Sequence, residues 1–456
     1  MLERFFHLKE NGTTVRSEVI GGITTFMTMA YILAVNPNIL SASGMDTDAI
    51  LIATCLAAFI GTCLMGVLAN YPFALAPGLG LNAYFAYTVC GNMGYSWQVA
   101  LFAVFVEGLV FIVLSLTNVR EAIFNAIPMT LKKGVGAGIG LFVAFIGFQN
   151  AHIVVNDDST LVTYVNFTKN WHTLGICALL AIIGLLLIVI LELKHVHGAI
   201  LIGIIITWIL GMIMQATGVY QIDPENGFYS LYPTFEITDF SKIRLTAGQC
   251  FNLDFSGVGF INFVIVVFSF LFVDMFDTIG TLIGVSDRAG MLDSEGKLPR
   301  VKNALLSDAV ATCAGAMLGT STTTTFVESS SGVGAGARTG LASVVTGLLF
   351  LVAVFFSPIF TSIPGFATAP ALLYVGFLMI SAVLDIKFDD LREAVPAYLT
   401  IISMPLMYSI AEGISMGVIS YVVINLVGNI ITDKKKKITP LMYVLAILFV
   451  LKYIFL

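Results

Sequence analysis

The sequence predicts an all-α polytopic membrane protein of about fourteen transmembrane spans, built as two inverted seven-span repeats, and three observations carry this. Of 456 residues, 58% are hydrophobic and only 11% charged, at a mean hydropathy of +0.95, far more apolar than a soluble chain of this size. Apolar runs long enough to cross about 30 Å of hydrocarbon recur from Gly21 to the C-terminus. Short motifs of the first half return in the same order in the second.

Taken in order, Met1 to Arg16 mixes charges with Phe5 and Phe6, lacks the basic, apolar, small-residue order of a cleavable signal, and reads as a cytoplasmic lead-in helix. Spans follow near Gly21 to Val35, Ile50 to Ala69, Gly78 to Cys90, Val99 to Leu116, Gly134 to Phe148, Leu174 to Leu191 and Gly198 to Ala216. The second half places them near Phe260 to Val285, Ala304 to Gly319, Phe326 to Ala337, Leu341 to Phe356, Ala369 to Leu384, Ala397 to Ile410 and Gly413 to Ile431. Threading from a cytoplasmic start puts Arg120, Lys132, Lys133, Lys194, Arg288, Lys297, Arg300, Lys302, Arg338, Lys387, Arg392 and Lys434 to Lys437 inside, as the positive-inside rule requires. The loop from Thr217 to Gly259 then lies outside, and its NGF, YPTF and TDF pieces predict an ordered polar cap. Leu441 to Leu456 is short for a crossing and reads as a fifteenth span or an interfacial helix.

The repeat divides the chain at 1–217 and 260–431, with 218–259 as the external loop and 432–456 as a lysine run and terminal apolar segment. Phe124-Asn-Ala-Ile-Pro128 corresponds to Phe360-Thr-Ser-Ile-Pro364, Gly108-Leu-Val-Phe-Ile-Val to Gly347-Leu-Leu-Phe-Leu-Val, and Thr62-Cys63 to Thr312-Cys313. Gly198 to Gly203 echoes Gly413 to Gly417. An odd number of spans per copy makes the second enter the membrane from the opposite side, the arrangement found in alternating-access transporters.

In such folds the site is made by corresponding broken helices. Pro72 to Asn82 opens the third span with two prolines, and Thr320 to Gly332 opens the tenth with a run of threonines, so both begin as extended backbone before helix resumes. Two half-helix N-termini then meet near the midplane, where their free N–H groups suit an anionic or carbonyl-bearing ligand. Carboxylates inside spans cost about 3 kcal/mol on insertion scales, so each needs a reason. Asp274 and Asp277 lie one turn apart on the eighth span, Glu328 heads the tenth half-helix, and Glu107 lies in the fourth.

Asp274 and Glu328 read as substrate-binding and proton-carrying groups: two carboxylates on one cavity repel, so one retains a proton near neutral pH. Against this stands helix capping. A planar base with ring N–H donors matches a carboxylate accepting from two of them. Asp277 reads as ordering the site by capping threonine or backbone groups, and Glu107, whose repeat counterpart is Thr346, as structural. Asn82 is placed for a base edge or for helix packing, and Thr24, Thr25 and Thr28 for lining the same cavity or packing helices, with Phe326 and Ser329 flanking Glu328 as further substrate contacts. Glycine runs at Gly134 to Gly140 and Gly332 to Gly336 follow no strand of a soluble nucleotide fold and read as close-packing surfaces. His195 and His197 lack further ligands for a metal, and no cofactor is expected. Walker, HExxH and nucleophile-base patterns are absent from the sequence, which leaves a pump driven by ATP or a membrane enzyme unsupported. A channel predicts continuous polar lining across several spans, a pattern absent from the sequence, and an anion exchanger a neutral or positive site, which the intramembrane carboxylates disfavour.

The stretches Gly21-Gly-Ile-Thr-Thr-Phe-Met-Thr-Met-Ala-Tyr-Ile-Leu, Ala76-Pro-Gly-Leu-Gly-Leu-Asn-Ala-Tyr-Phe, Phe272-Val-Asp-Met-Phe-Asp-Thr-Ile-Gly-Thr and Thr322-Thr-Thr-Thr-Phe-Val-Glu-Ser-Ser-Ser-Gly-Val resemble the AzgA-like purine permeases, a branch of the nucleobase-cation symporter class. The resemblance implies a core domain, roughly 15–119 and 260–358, moving in an elevator-like step against a gate domain, roughly 120–217 and 365–431. It further implies proton symport of guanine, hypoxanthine or adenine at the plasma membrane, with guanine and hypoxanthine favoured over adenine and over uracil or xanthine. Carried over by motif, Asp274 and Glu328 match the family's acidic substrate positions, Asn82 a polar recognition residue and Asp277 a second functional Asp. Its partners would be a purine base and the lipid bilayer, not nucleic acid, with a homodimer by analogy alone.

Overall fold

Ser, Thr, Asp and Pro set where the helices begin in the computed structural model, which describes residues 2–117, 127–224, 227–233, 238–288, 290–291, 298–432 and 435–455. Helix α1 (Leu2–Phe6) leads into α2 (Val15–Met29), where the Thr14 side chain accepts from the Ser17 amide. A turn at Ala30 and Tyr31 separates α2 from α3 (Ile32–Leu40). Helix α4 (Thr47–Leu64), capped by Asp46, runs on as a wider π turn over Met65–Ala69. Then come β1 (Leu75–Pro77), α5 (Leu79–Ala83), a π-helical stretch over Tyr84–Asn92, and α6 (Trp97–Leu116), which Ser96 caps. Helix α7 (Met129–Asn150), the hairpin β2 (Val154–Asp157) and β3 (Leu161–Tyr164), α8 (Ile176–Leu193) and α9 (Ala199–Ala216) complete the first half.

The second half comprises α10 (Phe260–Arg288), α11 (Val301–Leu318), β4 (Thr323–Thr325), α12 (Ser329–Gly334), α13 (Gly340–Ala353) and α14 (Ser357–Thr361). It ends with α15 (Gly365–Ile380), α16 (Leu391–Leu406), α17 (Ile410–Ile431) and α18 (Pro440–Phe455). Among the described residues, nine helical stretches are long and apolar enough to cross a membrane. The outward sides of several, with Val113, Leu186, Ile190, Phe377 and Ile430 each about half exposed or more, present apolar surface that only lipid would cover. This is a multi-pass membrane protein. Arg120, Phe124 to Ala126, Lys297 and Lys434, used above for threading and repeat matching, lie outside the described residues.

Several residues matched between the halves occupy equivalent places. Thr62 of α4 donates its hydroxyl to the Leu75 carbonyl at 3.1 Å, while Thr312 of α11 donates to the Thr323 carbonyl at 3.1 Å. Gly108 of α6 lies against Cys313 of α11, and Gly347 of α13 against Cys63 of α4, so close that a Cβ would sit 2.7 Å and 2.8 Å from the respective sulfurs. Pro128 and Pro364 each precede a helix, α7 and α15, and these two pack antiparallel through Gly140 on Gly376 and Gly147 on Leu372. Thr62 also accepts from the Leu75 amide at 2.9 Å, a bond that Thr312 does not reproduce. Thr62→Val therefore strands a buried N–H and should cost about 1–3 kcal/mol, against about 1 kcal/mol for Thr312→Val. Melting of the two variants in detergent checks this order, and its reversal would contradict it.

The loop between α9 and α10 is tied down: Trp208 donates to the Leu231 carbonyl at 2.7 Å, Thr238 to Val354 at 2.8 Å, and Lys242 pairs with Asp48 at 2.5 Å. Beyond the lysine run, α18 turns back along α17. Asn429 donates to the Lys436 carbonyl at 2.8 Å, Ser415 and Tyr453 hydroxyls lie 3.0 Å apart, and Phe449 meets Phe268 of α10 at 6.2 Å. The last segment thus packs lengthwise on the helix bundle rather than away from it.

Candidate functional site

The two interrupted segments pair with each other. β1 and β4 form a two-stranded antiparallel sheet with Leu75 opposite Thr325, Ala76 opposite Thr324 and Pro77 opposite Thr323. Bonds from the Gly78 amide to Thr322 (3.0 Å) and from the Phe326 amide to Ala74 (2.9 Å) extend it at both ends. Strands have unpaired edges, and inside a membrane those edges must be satisfied by protein. Thr62 and Thr312 take the Leu75 and Thr323 groups, Ser329 accepts from the Ala74 amide at 3.0 Å, and Asp308 accepts from the Thr325 amide at 3.1 Å. Side chains from α4, α11 and α12 thus make extended backbone tolerable at this depth.

Asp277 and Glu328 are both half-buried and close enough to interact electrostatically. Asp277 Oδ2 reaches the start of α5, where a Cβ on Gly78 would lie 3.6 Å from it. Glu328 accepts a 2.7 Å hydrogen bond from the Tyr31 hydroxyl. Asp274 is wholly buried, and Thr278 lies 3.1 Å from its Oδ1. Of the two acids of α10 it is therefore Asp277 that is half-buried like Glu328, whereas Asp274, read from the sequence as the acid facing one cavity with Glu328, is wholly buried.

Asn82 is buried between the two interrupted segments, accepting from Ser321 and donating to the Pro77 carbonyl at 3.5 Å. Thr28 turns its hydroxyl onto its own helix, 3.0 Å from the Thr24 and 2.9 Å from the Thr25 carbonyls. Thr24 is buried, and Thr25 lies against Gly332 of α12. Phe326 is buried beside the sheet, and the Ser329 side chain is engaged by Ala74. Glu107 accepts from Thr322 at 3.1 Å, the partner that its own span does not reveal. On the far side of α5, Gly80 lies against Ile139, so this half-helix rests directly on α7.

Three polar residues of this region escaped the sequence reading. Tyr31 sits in the turn between α2 and α3 and was legible only as part of an apolar motif. Asp308 lies on α11, fully buried, with Thr325 and Thr278 as donors; the expense of a carboxylate in an apolar run was the signal that could have found it. Glu18 is buried under α13, where it accepts from the Arg338, Thr339 and Ala342 amides at 2.7, 3.2 and 3.2 Å, a helix N-terminus satisfied by an anion.

A profile of the Permease family matches residues 16–416. The chain is 45% identical to the guanine/hypoxanthine permease PbuG of Bacillus subtilis, an alignment covering 100% of both chains. It is 44% identical to the adenine permease AdeP of Escherichia coli over 100% of this chain and 96% of that one, and 46% identical to a putative permease of Methanocaldococcus jannaschii over 100% and 98%. Among solved structures, the transmembrane domain of the cyanobacterial bicarbonate transporter BicA superposes at a TM-score of 0.62 with 16% identity, covering 88% of this chain and 97% of that one. That likeness is one of fold.

Proposed function

The chain belongs to the Permease family, and on that footing we propose that it is a secondary transporter importing purine nucleobases by proton symport. Fourteen spans are reached by adding α10, α11, α16 and the two segments interrupted at β1 and β4 to the nine long apolar stretches. The equivalent roles of Thr62 and Thr312, and of the two glycine–cysteine contacts, support an inverted repeat. In this reading the paired half-helices belong to a core that moves past a gate containing α7 and α15, with the base held between them. The N-terminus faces the cytoplasm and the protein resides in the plasma membrane.

The observation that carries the reading is Glu328 at the head of one paired broken segment, with Tyr31 donating to it, and Asp277 of α10 beside the start of the other. A hydroxyl donated to a carboxylate keeps it an acceptor, and an acceptor fits the ring N–H groups of guanine and hypoxanthine better than the bare N1 of adenine. The named relatives include permeases for both classes, so adenine is the second reading.

Uptake of labelled hypoxanthine in a base-transport-deficient cell, with adenine, guanine, xanthine and uracil as competitors at two external pH values, tests this. Saturable uptake that guanine blocks, that rises at acid pH and that a protonophore collapses is the expected result. Accumulation that survives the protonophore with sodium removed would sink proton symport. Failure of guanine to compete, with adenine competing, would reassign the substrate.

A further inference from the structure

Behind the half-buried pair lies a second set of acids. Thr278 Oγ1 stands 3.1 Å from Asp274 Oδ1, 2.9 Å from Asp308 Oδ2 and 2.7 Å from Thr324 Oγ1. All four side chains are buried, two on α10, one on α11 and one on β4. A threonine hydroxyl has one hydrogen and two lone pairs. Three contacts at hydrogen-bond distance can then be satisfied in only one way: one is donated and two are accepted. The Thr324 hydroxyl can supply one of the accepted bonds. The other must come from a carboxyl oxygen, which can donate only when it carries a proton. With both carboxylates ionised, one of the two contacts would set lone pairs against each other in a dry interior, where such repulsion is poorly screened.

We propose that Asp274, Thr278 and Asp308 hold one proton between two carboxyl groups, bridged by the Thr278 hydroxyl. When Asp274 carries it, Asp274 donates to Thr278 and Thr278 donates to Asp308. Moving it breaks the Asp274 O–H bond and forms one to the Thr278 oxygen, while the former Thr278 hydrogen passes to Asp308, so one proton is transferred and the hydroxyl is restored. The Thr325 amide and hydroxyl, at 3.1 Å and 3.3 Å from Asp308 Oδ1, favour negative charge on Asp308 and place the resting proton on Asp274. Other ionisable groups facing this cluster are Asp277 on α10, Glu328 beyond β4 with its Tyr31 donor, and Glu107 on α6 through Thr322. In the proton-symport reading, on which this last step alone rests, the shared proton is the coupling proton, held one layer behind the base.

Infrared spectroscopy of the purified full-length protein in detergent tests the shared proton without any transport. The wild type should show, at neutral pH, a C=O stretching band of a protonated carboxyl that shifts on deuterium exchange. Thr278→Val should move or remove that band, Thr278→Ser should keep it, and Glu328→Gln should leave it in place. If Thr278→Val does not accumulate, Asp308→Asn preserves the shape and should abolish the band by itself. A wild type without the band, or a band unchanged by both Thr278→Val and Asp308→Asn, overturns the proposal. In cells, Thr278→Val should lower uptake at least about tenfold and flatten its dependence on external pH, with Thr278→Ser restoring the slope; a variant with the wild-type pH profile would remove the triad from coupling. Wild-type uptake indifferent to pH would fall on the symport reading, whereas the infrared band judges the shared proton on its own.

Discussion

Glu328→Gln is expected to lower saturable uptake of labelled hypoxanthine by about 100-fold while the protein still reaches the membrane. The substitution keeps the side chain's length and a carbonyl oxygen able to accept from the Tyr31 hydroxyl, now 2.7 Å from Glu328 Oε1, so the local fold survives. It removes the negative charge and the capacity to take a proton. Hydrogen bonds to a charged group are worth about 1.5–3 kcal/mol, and a base holding two N–H groups against one carboxylate loses the upper part of that range, which is about 100-fold in an equilibrium. Asp277 interacts electrostatically with Glu328, so its protonation should change as well. Tyr31→Phe deletes only a donor and should cost about tenfold. Surface labelling verifies insertion, and normal uptake by Glu328→Gln would exclude Glu328 from the site.

Much of this site could be read in the sequence because its chemistry is costly in a membrane. Prolines at 72 and 77 and the threonines from Thr322 to Thr325 marked extended backbone within apolar runs, and the structure has strands there. Thr62 and Thr312 emerged as matched positions, but their role as edge partners of the strands required knowing that β1 and β4 pair. Spacing placed Asp274 and Asp277 on one helix face without saying which of them looks toward Glu328; that depends on the rotation of α10 against β4, set by Thr278 and Asp308. Asp308 shows the limit from the other side, since its donors are a backbone amide and a hydroxyl from elements 17 and 30 residues away. Tyr31 belongs to the same class: its hydroxyl meets a residue 297 positions along the chain, and nothing local distinguishes it from a packing aromatic.

Gly340→Ala should prevent accumulation of folded protein, although it adds one methyl group at a helix start where alanine is ordinarily favourable. At Gly340 the first residue of α13 crosses the π turn after α4 backbone to backbone: a Cβ there would overlap the Gly66 carbonyl oxygen and lie 2.6 Å from the Gly66 carbon atoms. Overpacking is tolerable when one side can shift. Here both are fixed. The Gly340 amide donates to Asn70 at 2.8 Å, Ser343 donates to the Tyr71 and Phe73 carbonyls at 2.6 and 2.9 Å, and Glu18 of α2 holds the amides around the helix start. Relieving the clash would break several of these bonds at once, so the cost exceeds about 3 kcal/mol, a large part of the 5–15 kcal/mol typical of a folded protein. Gly334→Ala is the matched control, because a Cβ there meets nothing within 4 Å. Membrane abundance and melting in detergent distinguish the two, and a Gly340→Ala protein that accumulates and melts like the wild type would contradict the argument. The same contact bears on transport. Glu18, Asn70 and Ser343 join α2, α4 and α13 across both halves of the chain, and an elevator-like step requires these elements to move together as one rigid body, which a loosened α4 to α13 crossing could not do.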